Sequence, residues 1–91
     1  MDASYMLACG FLWHRAADID AGWELVEALS SPDPRVRQVA QCFLVESGEK
    51  SMELLEDAVR AGIVAPETVG PCMAELLRTS ELASRNDRLI S

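Results

Sequence analysis

Apolar residues recur along this 91-residue chain at three- and four-residue intervals. No segment has the apolar–polar alternation or the β-branched density of a strand. Punctuation falls at Asp18 to Asp20, Ser30 to Pro34, Gly48, Gly62 to Pro66 and Gly70-Pro71. The pattern predicts an all-α protein of about five helices. Helix one covers about Ala3 to Ala17. Helix two covers about Asp20 to Leu29, with Asp18 or Asp20 available to accept from the N–H groups of its first turn. Helix three has Asp33 as N-cap and Pro34 at N1, where a missing N–H costs nothing. Its Val36, Val39, Ala40, Phe43 and Leu44 fall at i, i+3, i+4, i+7 and i+8, one continuous inward face, before Gly48 stops it. Helix four covers about Glu49 to Ala61, with Met52, Leu55, Ala58 and Val59 inward and Gly62 as its C′ residue.

Helix five has two possible starts. From Pro66, Val69, Cys72, Met73, Leu76 and Leu77 make a stripe, but Pro71 then lies inside the helix, with its ring against the carbonyl of Glu67. From Pro71 that conflict disappears. The tail, 80–91, carries Leu82, Leu89 and Ile90 and either adds a turn or frays.

The stripes repeat. A shift of 33 residues lays Val36, Val39, Ala40, Phe43 and Leu44 on Val69, Cys72, Met73, Leu76 and Leu77. A shift of 29 lays Leu25, Val26 and Glu27 on Leu54, Leu55 and Glu56. Helix pairs recurring at roughly 30 residues are the signature of a stack in which each pair needs its neighbour to bury its apolar side. The stretch Leu29-Ser-Ser-Pro-Asp-Pro-Arg-Val-Arg-Gln-Val-Ala-Gln-Cys-Phe-Leu44 resembles a HEAT repeat of the short bacterial type. Leu29, Asp33, Pro34, Val36, Arg37, Ala40 and Leu44 carry the resemblance, which is best over residues 22–47. It implies an α-α superhelix built of antiparallel helix pairs, and a polar ladder between repeats through Asp33 and Arg37. It also implies that second helices line a concave, partner-binding side. On that side the positions free to vary are Arg35, Gln38, Gln41 and Val45 of helix three, with Glu75 and Arg78 of helix five. At the 33-residue shift Asp33 becomes Pro66 and Arg37 becomes Gly70, so the ladder does not recur there.

Charge narrows the partners. Fifteen acids against eight bases give a net charge of −7, which removes the basic face that nucleic acid or anionic lipid requires. The length is that of one small domain, residues 1–91. Cys9, Cys42 and Cys72 are an odd, widely spaced set, expected as reduced thiols packed as small hydrophobes. The apolar run Met6 to Trp13 is far short of the ~18 residues of a membrane span, and no basic residue precedes it. The expected compartment is the cytoplasm.

Catalytic and metal chemistry lacks its parts. Asp18-Ile-Asp20-Ala-Gly22 hints at a calcium loop, but Trp23 and Leu29 stand where glycine and glutamate are required, so a capping turn is expected. Glu46, Glu49, Glu53, Glu56 and Asp57 form the densest acidic patch, read as a solvated helix face with Glu56 pairing with Arg60 at i+4. Cys9 and the lone His14 point about 140° apart on one helix, and one histidine cannot serve a serine triad elsewhere. No cofactor and no enzymatic activity are expected.

Helix one exceeds this quiet picture, because Tyr5 to Trp13 is apolar on nearly every side. Either it is central, or its outer side meets another copy of the chain through Tyr5, Phe11 and Trp13, with Gly10 allowing close approach. The expectation is a non-catalytic adapter or scaffold that binds a protein partner on the concave face. The alternative is a small acidic inhibitor or nucleic-acid mimic that blocks a basic groove. Salt separates them, since a mimic loses affinity steeply as ionic strength rises.

Overall fold

Aspartates open the first three helices. Asp2 caps α1 (Ala3–Ala16), its Oδ1 accepting from the Tyr5 N–H at 2.8 Å. Asp18 caps α2 (Ile19–Ala28) through the Ala21 N–H at 3.0 Å. Asp33 caps α3 (Pro34–Glu46) through the Arg35 N–H at 2.9 Å, with Pro34 in the first turn. α4 (Glu49–Arg60) follows Gly48, whose φ of 70° suits a residue without Cβ, and α5 (Pro66–Ile90) completes the chain. This computed structural model describes residues 2–90, with side chains over 2–80. Among the described residues the protein is all-α. The side chains of Leu82, Leu89 and Ile90 lie outside them.

The helices form two layers. α1 packs on α2 and α3, α2 on α3 and α4, and α5 on both α3 and α4. Thus α1, α3 and α5 lie side by side in one layer, with α2 and α4 in the other. α2 and α4 begin at Ile19 and Glu49, 30 residues apart, and α3 and α5 begin at Pro34 and Pro66, 32 apart. Short connections fold α1 on α2, α2 on α3 and α4 on α5, whereas α3 and α4 do not pack along each other but each meets α2 and α5.

One core cluster runs through all five helices. Met6 and Trp13 enter it from α1, Leu25 and Val26 from α2, and Val36, Ala40 and Leu44 from α3. Leu54, Leu55 and Ala58 come from α4, and Val69, Cys72 and Leu76 from α5. Burying a side chain of leucine size fully is worth roughly 1.5–3 kcal/mol, so this seam is the main source of stability. Two glycines let helices approach, Gly10 within the α1–α3–α5 layer and Gly22 between the layers. A Cβ on Gly10 would collide with the Phe43 ring, and one on Gly22 would meet the Trp13 ring at 2.8 Å. Phe43 also meets Phe11 edge-on, with ring centroids 5.3 Å apart.

A polar clamp ties the end of α1 to the start of α4. Lys50 Nζ donates to the carbonyls of Trp13 and His14 at 2.8 and 2.9 Å, and lies 5.2 Å from the Trp13 ring centroid. These carbonyls sit at the negative end of α1, where a cation is favoured. Trp13 Nε1–H donates to the Oγ of buried Ser51 at 3.0 Å, so neither polar group is stranded in the core.

Four expectations change. Trp13 is only 4% exposed and its ring is held within the fold, so it is not a self-association contact. Gly10 faces Phe43 rather than another chain. Leu77, placed on the inward stripe of α5, is 59% exposed: it lies about 100° round the helix from buried Leu76, past the arc that faces α3 and α4. Inside α4, Leu54 and Ser51 are buried while Met52 and Val59 are partly exposed, so the inward face is rotated from the expected one. The two starts of helix five are decided for Pro66, with Pro71 inside. Gly70 precedes that proline and has no Cβ to collide with its ring, and both residues are exposed, so water can reach the carbonyl that Pro71 leaves unpaired. Tyr5 and Phe11 are exposed, as are Leu7 and Leu12, with Leu7 and Phe11 on the far side of α1 from Met6, Cys9 and Trp13 and Tyr5 and Leu12 on the flank of that stripe.

Candidate functional site

The outer surface of the α1–α3–α5 layer carries an open groove of about 650 Å³ between α3 and α5. Pro34, Gln38, Gln41 and Val45 occupy one face of α3 at successive turns, because α3 turns its other side inward through Val36, Ala40 and Leu44. α5 supplies Thr68, Pro71 and Glu75 at i, i+3 and i+7 from the flank of its buried stripe, with Thr68 and Glu75 half-buried. Leu29, at the end of α2, and Cys42 complete much of the lining.

Four of the six partner-binding candidates therefore meet: Gln38, Gln41, Val45 and Glu75. The other two do not line the groove. Arg35 lies about 60° round α3 from Gln38. Arg78 lies one turn beyond Glu75 and is spent on it, its Nη2 donating to both carboxylate oxygens at 2.7 and 2.6 Å. An exposed pair of this kind adds little stability, about 0–1 kcal/mol, but it cancels charge on the α5 wall. Asp33 and Arg37 make local bonds. Asp33 caps its own helix, and Arg37 Nη1 donates to the Ser31 carbonyl at 2.7 Å, in the loop that leads into α3.

The groove is thus close to neutral. Arg37 and Glu46 both line it, and Glu75 is matched by Arg78. Its specific groups are two glutamine amides, each able to donate and accept, over an apolar floor that includes Leu29 and Val45. The thiols differ in availability. Cys42 is exposed at the groove, whereas burial pushes the Cys72 thiol up to about 11, with Glu75 adding to the shift. Burial also raises Cys9. Among the described residues no three His, Cys, Asp or Glu side chains are grouped to hold a metal ion.

Sequence reasoning missed Leu29, Thr68, Pro71 and Cys42 as lining residues. Once α5 is known to start at Pro66, the Thr68–Pro71–Glu75 spacing marks one face of that helix, and this was the available signal. No protein-family model, no curated protein and no solved structure matches this chain. Among the described residues no helix is long and apolar enough to cross a membrane.

Proposed function

We propose that this protein is a non-catalytic interaction module that holds a segment of another protein in the groove between α3 and α5. The observation that carries this reading is the meeting of Gln38, Gln41, Val45 and Glu75, more than thirty residues apart at the extremes, in one open groove. Side chains on that face are freer to vary than the core, which is built from Val36, Ala40 and Leu44 on α3 and from Val69, Cys72 and Leu76 on α5. The HEAT-like stretch Leu29 to Leu44 supplies one wall, the role a second helix has in that family. Balanced charge favours a partner recognised by hydrogen bonds to the two amides and by apolar contact with Leu29 and Val45. It disfavours a nucleic-acid mimic acting through this groove, which would need uncompensated carboxylates along it.

Photo-crosslinking tests the placement. A photoreactive residue at Gln41 is expected to capture a discrete partner from native extract, while one at exposed Ile63 does not. Capture is expected to persist from low to moderate ionic strength. Equal capture at both positions would remove the groove from the proposal, and loss of the adduct in moderate salt would favour the mimic.

A further inference from the structure

A second groove, of about 520 Å³, lies between α4 and α5. Its floor is apolar, with Met52 half-buried and Leu76 buried. One wall is acidic. Glu49, Glu53 and Glu56 fall at i, i+4 and i+7 on α4, so their carboxylates run in a row about 10.5 Å long. The facing wall is Leu77, a large aliphatic side chain 59% exposed. Arg60 reaches Glu56 only at 3.9 Å and stands closer to Asp57, at 3.4 Å. The groove therefore joins an apolar trough to a one-sided line of negative charge on a chain whose net charge is −7.

We infer that this groove receives a basic amphipathic helix of a partner protein. Helix-in-groove contacts are read by aliphatic anchors at i, i+3 or i+4, and i+7, and here the floor and Leu77 would cover them. The carboxylate row has the spacing of successive helical turns, which matches Lys or Arg at i, i+4 and i+7 along one flank of a helix lying beside α4. Charge complementarity selects this occupant over an acidic segment or over anionic lipid. The two grooves share Val45 but use different residues of α5, and neither Glu53 nor Leu77 lines the α3–α5 groove, so either can fail without the other.

The test uses the full chain and three labelled peptides of roughly 18 residues, about five helical turns. One has leucine anchors with a lysine flank, one has the same anchors with a glutamate flank, and one keeps the lysines but replaces the anchors by alanine. Fluorescence anisotropy is expected to show binding of the leucine–lysine peptide alone. Glu53→Lys should weaken it by about tenfold or more, while Glu27→Lys, the same charge change at an exposed position of α2, should leave it within about twofold. Leu77→Asp is the decisive variant: it adds a carboxylate, so mere attraction between opposite charges would tighten binding, whereas loss of the apolar wall weakens it by about tenfold. Circular dichroism checks that each variant keeps its helices, and Glu53→Lys stands as the test should Leu77→Asp not fold. No binding to the wild type overturns the inference, as does equal binding of the alanine–lysine peptide or equal weakening by Glu27→Lys. A concentration-dependent dimer that Leu77→Asp abolishes, in a protein that ignores the peptide, would assign the groove to a second copy and overturn it equally.

Discussion

Gly10 and Phe43 show how closely single positions are fitted. The Phe43 ring occupies the space that any Cβ at position 10 would need. In an exposed helix, glycine to alanine gains about 1 kcal/mol of helix propensity. Here overpacking opposes that gain and costs about 1–3 kcal/mol, so Gly10→Ala is expected to destabilise. Removing the ring should reverse the sign: in a Phe43→Ala background, Gly10→Ala becomes neutral or stabilising, and urea unfolding of the four proteins measures the coupling. The sequence marks Gly10 only as a place of close approach. That the approaching group is Phe43 of the same chain follows from α1 and α3 lying side by side.

At the scale of elements, helix boundaries are the best-read part of this chain. Asp18, Asp33 and Pro34 act where the pattern places them, because caps depend on groups within three or four residues. The end of α1 is less regular. Ala17 holds a left-handed backbone, φ 52°, a conformation that costs a residue with Cβ roughly 1–2 kcal/mol. Ala17→Gly is expected to raise the midpoint of thermal unfolding, in line with a gain of about 1 kcal/mol, and an unchanged or lower midpoint would mean that this turn is not strained. Helix faces were less legible than helix ends. α4 carries Leu54, Leu55, Met52 and Val59 over a wide arc, and only the position of α2 decides that Leu54 goes in and Met52 faces the second groove. The same holds for Leu76 and Leu77, adjacent in sequence and opposite in fate.

The whole molecule is tied together by one core, and this has a measurable consequence. Cys9 lies in α1 and Cys72 in α5, at the two ends of the odd-numbered layer, yet both belong to the same buried cluster. With its thiol pushed up to about 11 by burial, Cys72 holds almost no thiolate at pH 8, and exposed Cys42 is expected to react first with an alkylating reagent. Through a urea titration Cys9 and Cys72 should become reactive together, in one cooperative transition. Exposure of Cys72 well before Cys9 would mean that α4 and α5 open as a separate unit. The pH dependence has a definite sign. An unfolded thiol ionises near pH 8.5 while the buried one does not until about 11, so the folded state holds more protons across that window and loses stability as pH rises through it.

What this sequence determined by itself was local: that the chain is helical, where helices begin, and that apolar stripes recur at about thirty residues. Those properties rest on hydrogen bonds and side-chain spacings within a few residues, which the order of amino acids states directly. Tertiary structure alone decided which parts of each stripe are covered. A helix with a broad apolar arc is buried wherever its neighbours sit, and those neighbours come from residues thirty or more positions away. Thus Trp13, with Ser51 and Lys50 arriving from α4, is interior, and Leu77, past the arc of α5 that faces α3 and α4, is left at the surface. The α3–α5 groove was partly legible, because the recurring stripe pairs those helices and marks Gln38, Gln41, Val45 and Glu75, whereas the groove between α4 and α5 is a gap that no repeat in the sequence announces.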